Sequence, residues 1–176
     1  GVVANTSLVA VALFNGIAQG SQPLISECYS KGQKKEVLSL LKMAIATTLA
    51  TASLLYIFIY LCAPAVTAVF NGGHDQTLAA YAQSGLRLYF IGFFFAGMNI
   101  VGTAALSAVE SAKFAFAASI MRGFVAIILF AFALSAILGM TGVWLAFPAG
   151  ELVTLFITSA GLIQILKNHT KYISAN

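Results

Sequence analysis

The sequence predicts an all-α, polytopic membrane helix bundle of about five transmembrane helices, forming a single domain over residues 1–176. Three observations carry this. Apolar residues make up 60% of the chain and charged residues 8%, where an ordinary soluble domain is about 45–50% apolar and about 25% charged. The apolar residues fall into runs that each exceed the roughly 20 residues needed to cross a bilayer. Short clusters of Gly, Asn and charge separate those runs. No room is left for a soluble domain beside them.

The first span is expected over about 5–27, closed by the polar run from Cys28 to Lys35, in which Gly32 is a natural helix stop. The second covers about 36–70. Asn71-Gly72-Gly73-His74-Asp75 is a turn sequence, with Asp75 placed to cap the third span, about 76–109. Glu110-Ser111-Ala112-Lys113 ends that span, and the fourth follows as one helix over about 114–138. Gly139 to Gly142 is read as a tight turn. The fifth span, about 143–166, carries Trp144 at interfacial level and a kink at Pro148, before a polar tail of residues 167–176. The second and third spans are long enough to tilt or to protrude.

The charges set an orientation. Lys31, Lys34, Lys35 and Lys42 flank the first loop, Lys113 and Arg122 the third, and Lys167 and Lys171 lie in the tail, whereas the second and fourth turns have no Lys or Arg. The positive-inside rule then places the N-terminus outside and the C-terminus in the cytoplasm. Only Arg87, about three turns into the third span, departs from the pattern. A net charge of +4 spread over helix ends is a topology signal and not a nucleic-acid patch. The chain opens on Gly1 without an initiating Met, which is the expectation for a fragment or processed piece. Cys28 and Cys62, near opposite membrane faces, are expected to be inert packing residues. No internal repeat is evident.

Glu151 is the sharpest single feature, a carboxylate about two turns into the fifth span with apolar neighbours on both sides. Such a group marks a functional site by default and is a candidate proton carrier. The structural alternative is a shallow position paired with Arg87 or Thr154. Asn15, Gln19 and Gln22 share one face of the first span, which suits either a water-filled cavity or interhelical hydrogen bonding; Pro23 can bend the helix where that stripe ends. Asn99 and Thr103 share a face of the third span, with Gly92, Gly97 and Gly102 suited to close helix packing. Tyr89-Phe90 and Phe93-Phe94-Phe95 could wall a hydrophobic substrate or face lipid. No catalytic residue is picked out. His74 and His169 lack partners at metal-ligand spacing, so no metal site is expected. There is no Gly-rich phosphate loop to suggest ATP-driven transport. The sequons at Asn5 and Asn168 are read as chance.

Gly16-Ile17-Ala18-Gln19-Gly20-Ser21-Gln22-Pro23-Leu24-Ile25-Ser26 closely resembles the G-x-x-Q-G-x-Q-P-L-I signature of multidrug and toxic compound extrusion (MATE) transporters, in their bacterial multidrug-exporter branch. Where that family continues into Tyr-Asn-Tyr-Gly, this chain has Glu27-Cys28-Tyr29-Ser30-Lys31-Gly32. Ala104 to Lys113 resembles the family's Q-A-x-G-x-x-K helix end, and Gly142-Val143-Trp144-Leu145-Ala146-Phe147-Pro148 its G-V-W-x-A-x-P start of the last helix.

The resemblance covers nearly the whole chain and implies most of the C-terminal lobe of a twelve-helix transporter, helices eight to twelve. It implies a secondary active transporter that exports cationic or amphipathic drugs by proton- or sodium-coupled antiport through alternating access in a bacterial inner membrane. The implied partners are membrane lipid, a small cationic or amphipathic substrate and the missing N-terminal lobe, with no nucleic acid and no cofactor beyond a coupling H+ or Na+. Some members place an acidic residue inside the third-span helix, where this chain has Asn99. The expected pathway candidates are Gln19, Gln22, Asn99 and Glu151. The alternatives are a lipid-linked precursor flippase of the same superfamily, which would want several cavity-facing cations where only Arg87 and Arg122 lie inside spans, and an inactive truncated fragment. A membrane-embedded enzyme would need clustered carboxylates or histidines, which the sequence does not offer.

Overall fold

A computed structural model of the chain describes residues 2–70 and 76–173. The expected turn at 71–75 with its Asp75 cap, His74, and the side chains of Asn5, Asn168 and His169 lie outside the described residues. The elements are α1 (Val2–Ser30), α2 (Lys34–Phe70), α3 (Gln76–Ala108), α4 (Ala112–Ile120), a π turn (Met121–Val125), α5 (Ala126–Leu138) and α6 (Met140–Ile173). Five stretches are long and apolar enough to cross a membrane: Ser7–Ser30, Lys34–Ala65, Ala82–Ala108, Ala112–Leu138 and Met140–Gln164. Among the described residues every element is helical, as backbone without a water partner in hydrocarbon requires.

The expected helix boundaries need two corrections. The fourth span is not one uniform α-helix: α4 and α5 are joined through the π turn Met-Arg-Gly-Phe-Val, which sets a charge and a poor helix former, Arg122 and Gly123, side by side within the span. The turn before the last helix is a single residue, Gly139 at φ 58°, and α6 resumes at Met140. Gly142 is already helical and sits so close to α5 that a Cβ there would collide with the Leu134 carbonyl.

The other two described turns share one device. Gly32, at φ 71°, ends α1 with Gln33 N–H donating to the Cys28 carbonyl at 2.9 Å and Gly32 N–H donating to Tyr29 at 3.0 Å. Glu110, at φ 59°, ends α3 with Ser111 N–H donating to the Leu106 carbonyl at 2.9 Å and Glu110 N–H donating to Ser107 at 3.2 Å. Each is a Schellman closure, which satisfies helix-end carbonyls by a left-handed residue. At Gly32 the conformation meets no Cβ, whereas at Glu110 it carries the strain of a side chain.

α3 holds the centre, packed against α1, α2 and α6, while α5 lies along α6. The main core joins Phe14 of α1, Ala52 and Ile59 of α2, and Leu86, Phe90, Phe93 and Val101 of α3. Phe90 and Phe93 stack at 4.8 Å, and Tyr89 stacks on Phe147 of α6 at 4.6 Å. These members of the aromatic run therefore pack helix against helix; Phe90 and Phe93 face neither lipid nor a cavity. A second core of Ile25, Val37, Leu41, Ala105, Ala108 and Val109 closes the end that carries both Schellman turns. The lysines of the first and third loops gather at that end, where Lys31 pairs with Glu27 one turn back. Being exposed, that pair adds little to stability, though Glu27 holds the Lys31 ammonium above its usual range.

Glycines set the seam between α3 and α6, which run in the same direction. Gly85 lies against Trp144, Gly92 against Phe147 and Pro148, and Gly102 against Thr158. Small residues on one helix receive large ones from the other, so the two backbones approach closely without a hydrophobic driving force. The packing role expected for Gly92, Gly97 and Gly102 is the one they have; Gly97 seats Thr48 and Phe14.

Candidate functional site

The α3–α6 seam is polar at its middle. On α6, Glu151, Thr154 and Thr158 recur at three- and four-residue spacing and are all buried. Both threonines resolve their own polarity, donating to the carbonyls of Gly150 at 2.9 Å and Thr154 at 3.1 Å. Glu151 has no such local solution, because a carboxylate needs donors from elsewhere.

Two other elements supply them. Asn99, fully buried on α3, donates its amide Nδ2 to Glu151 Oε2 at 2.7 Å and to the Glu151 backbone carbonyl at 2.7 Å. Arg122, from the π turn, donates Nε to Glu151 Oε1 at 2.7 Å. Each carboxylate oxygen therefore has one charged or amide donor, and three separate spans meet at one residue. The acceptor side of the amide is left over, since Asn99 Oδ1 is buried without a hydrogen-bond partner among the described residues. Pro148 lies one turn before Glu151 and removes the N–H that would bond the Trp144 carbonyl. A Cβ added at Gly150 would come within 3.2 Å of the Ala126 Cβ, so α6 lies close against the first residue after the π turn.

Two sequence expectations change here. Glu151 is not paired with Arg87: it is 3% exposed and its partner is Arg122. Arg87 turns toward α2 instead, with its guanidinium 4.2 Å from the Tyr60 ring centre, a cation–π contact. Arg122, read from the sequence as a topology charge beside a loop, is an inward-facing ion-pair partner. A signal for it was present, since Ala115, Ala118 and Ala126 are the buried residues of this span and Arg122 falls on the same face. Small residues at that spacing mark the inner face of a membrane helix.

The four pathway candidates fall into two groups. Asn99 and Glu151 are in direct contact. Gln19 and Gln22 lie on α1, which packs on α2 and α3; Gln19 is exposed and Gln22 half-buried. Among the described residues there is no group of three or more His, Cys, Asp or Glu that could hold a metal ion.

The sequence matches the MatE family over residues 1–133. No curated protein sequence matches the chain. Among solved structures, an inward-facing multidrug resistance MATE family transporter of the MOP superfamily superposes with a TM-score of 0.84 at 19% identity, covering 94% of this chain and 39% of the other. The outward-facing conformation of such a transporter gives 0.80 at 19% identity, over 93% and 37%. The Vibrio cholerae MATE transporter VcmN in its bent form gives 0.76 at 13% identity, over 98% and 41%. The chain thus spans about two fifths of the length of the transporters it matches. With the family matched over most of its length and the helix arrangement shared end to end, this chain belongs to the MATE family of multi-pass membrane transporters.

Proposed function

We propose that the chain is most of one lobe of a secondary active transporter that exports cationic or amphipathic compounds, driven by an inward proton or sodium gradient. The observation that carries this reading is the buried carboxylate of Glu151 at the meeting point of three spans. A cation gradient can do work only through a group that binds the cation differently in two conformations. Within the described spans, Glu151 is the acidic side chain buried among helices and held by groups from separate elements. The similar likeness to inward- and outward-facing relatives supports a lobe that moves as a unit, as alternating access requires. The missing partner would be the other lobe of the same transporter. We place the N-terminus outside and the C-terminus in the cytoplasm of a bacterial inner membrane, on the loop lysines.

A flippase for lipid-linked anionic precursors is less well supported, because the charge of Arg122 is engaged by Glu151 and Arg87 lies over Tyr60. The test is the full-length parent in proteoliposomes loaded with ethidium, under an imposed proton gradient and separately a sodium gradient. The expected result is uphill dye movement with one of the two. Dye movement with neither would overturn the reading.

A further inference from the structure

The partners of Glu151 are not equally fixed. Asn99 is fully buried and grips both the carboxylate and the backbone carbonyl of the same residue. Arg122 differs in each respect. Its side chain is 29% exposed against 3% for Glu151. It reaches the carboxylate through Nε on one oxygen, although a guanidinium has five donors and commonly holds a carboxylate by two. It rides on the π turn, none of whose five residues is buried, and beside it a Cβ on Gly123 would meet nothing. π turns of this kind are frequent at functional sites in helices. Arg122 can therefore swing away without uncovering core, while Glu151 is held in place.

We propose that Arg122 is the resident counter-cation of Glu151 and is displaced when the coupling cation or a proton reaches the carboxylate. This rests on the reading of Glu151 as the coupling group. In the exchange one positive charge leaves the carboxylate as another arrives, so the buried anion is never left alone, the costly state for such a group. When the arriving cation is a proton, an O–H bond forms on the carboxylate, the guanidinium keeps all its protons, and the pair goes from neutral to a single positive charge. Few other groups compete. From α3 Asn99 contacts Glu151, while Arg87 lies over Tyr60 and Tyr89 stacks on Phe147. α4 brings only Lys113, in its first turn, and α5 carries no titratable side chain.

The test uses the full-length transporter in proteoliposomes, with ethidium export measured against the concentration of the coupling ion, proton or sodium. Removing a resident competitor should make the ion bind more readily. R122Q is expected to lower the half-saturating ion concentration by about tenfold or more, and R122K to keep the parental value. E151Q and E151Q/R122Q should behave alike, with no ion dependence. If R122Q does not accumulate, R122K and the double variant, which leaves no unpaired buried charge, carry the test. A parental half-saturation in R122Q, or a double variant more impaired than E151Q, would overturn the proposal for Arg122 alone. Unchanged ion-dependent export in E151Q would instead overturn the assignment of Glu151 on which it rests.

Discussion

An ionised group inside an apolar helix persists when each of its polar atoms is answered, and Glu151 is answered from two directions. Taking a carboxylate and a guanidinium out of water costs several kcal/mol for each ion, and their attraction offsets this only with good geometry and further hydrogen bonds. Asn99 is that further bond. Asn99→Leu, close in size but without the donor, should lower stability by about 1–3 kcal/mol, seen as a reduced melting temperature of the purified transporter in detergent. A parental melting temperature would mean that the amide bears no load. Glu151 was legible in the sequence because one charge in an apolar run has no competitor for attention. Arg122 was not, because a cation two turns from a basic loop satisfies the positive-inside rule equally well. What separates the two readings is its register with Ala118 and Ala126, which only becomes decisive once those alanines are known to be buried.

At the scale of elements, the close helix approaches rest on glycine. Gly142 and Gly92 differ in what a methyl group would meet: the Leu134 backbone carbonyl for the first, the Phe147 ring and the Pro148 backbone for the second. A ring can give way, a helix backbone cannot without moving the helix. Gly92→Ala should cost about 1–3 kcal/mol and Gly142→Ala more than that; thermal unfolding that ranks them in the reverse order would contradict the seam described here. The five spans were legible from composition and run length alone, since a bilayer demands both. The π turn was not, because it is a change of hydrogen-bond register, and a single Arg-Gly pair within an apolar run is equally compatible with a continuous α-helix. The last turn was overestimated for a similar reason: Gly139 and Gly142 look alike in sequence, but one supplies a positive φ and the other a close helix contact.

For the whole molecule, the helix bundle has a polarity. The two Schellman turns and the second core lie at one end, and the Gly139 turn at the other. If the loop lysines set the orientation, Gln33→Cys and Lys113→Cys should react with a membrane-impermeant thiol reagent from the cytoplasmic side, and Met140→Cys from outside. Labelling of the three from the same side would contradict the alternation of spans. Resemblance to the family was readable in the Gly16 to Ser26 string, yet the polar cluster proposed as the coupling site lies outside that string, in Asn99, Arg122 and Glu151, which share no local motif. Sequence proximity carries motifs; only packing assembles Asn99, Arg122 and Glu151. The most direct test of the account is uphill export of ethidium by the full-length transporter carrying Glu151→Gln, measured beside the parent and beside the parent with its gradient collapsed by an ionophore. The account predicts export at the collapsed-gradient level; export equal to the energised parent would contradict it.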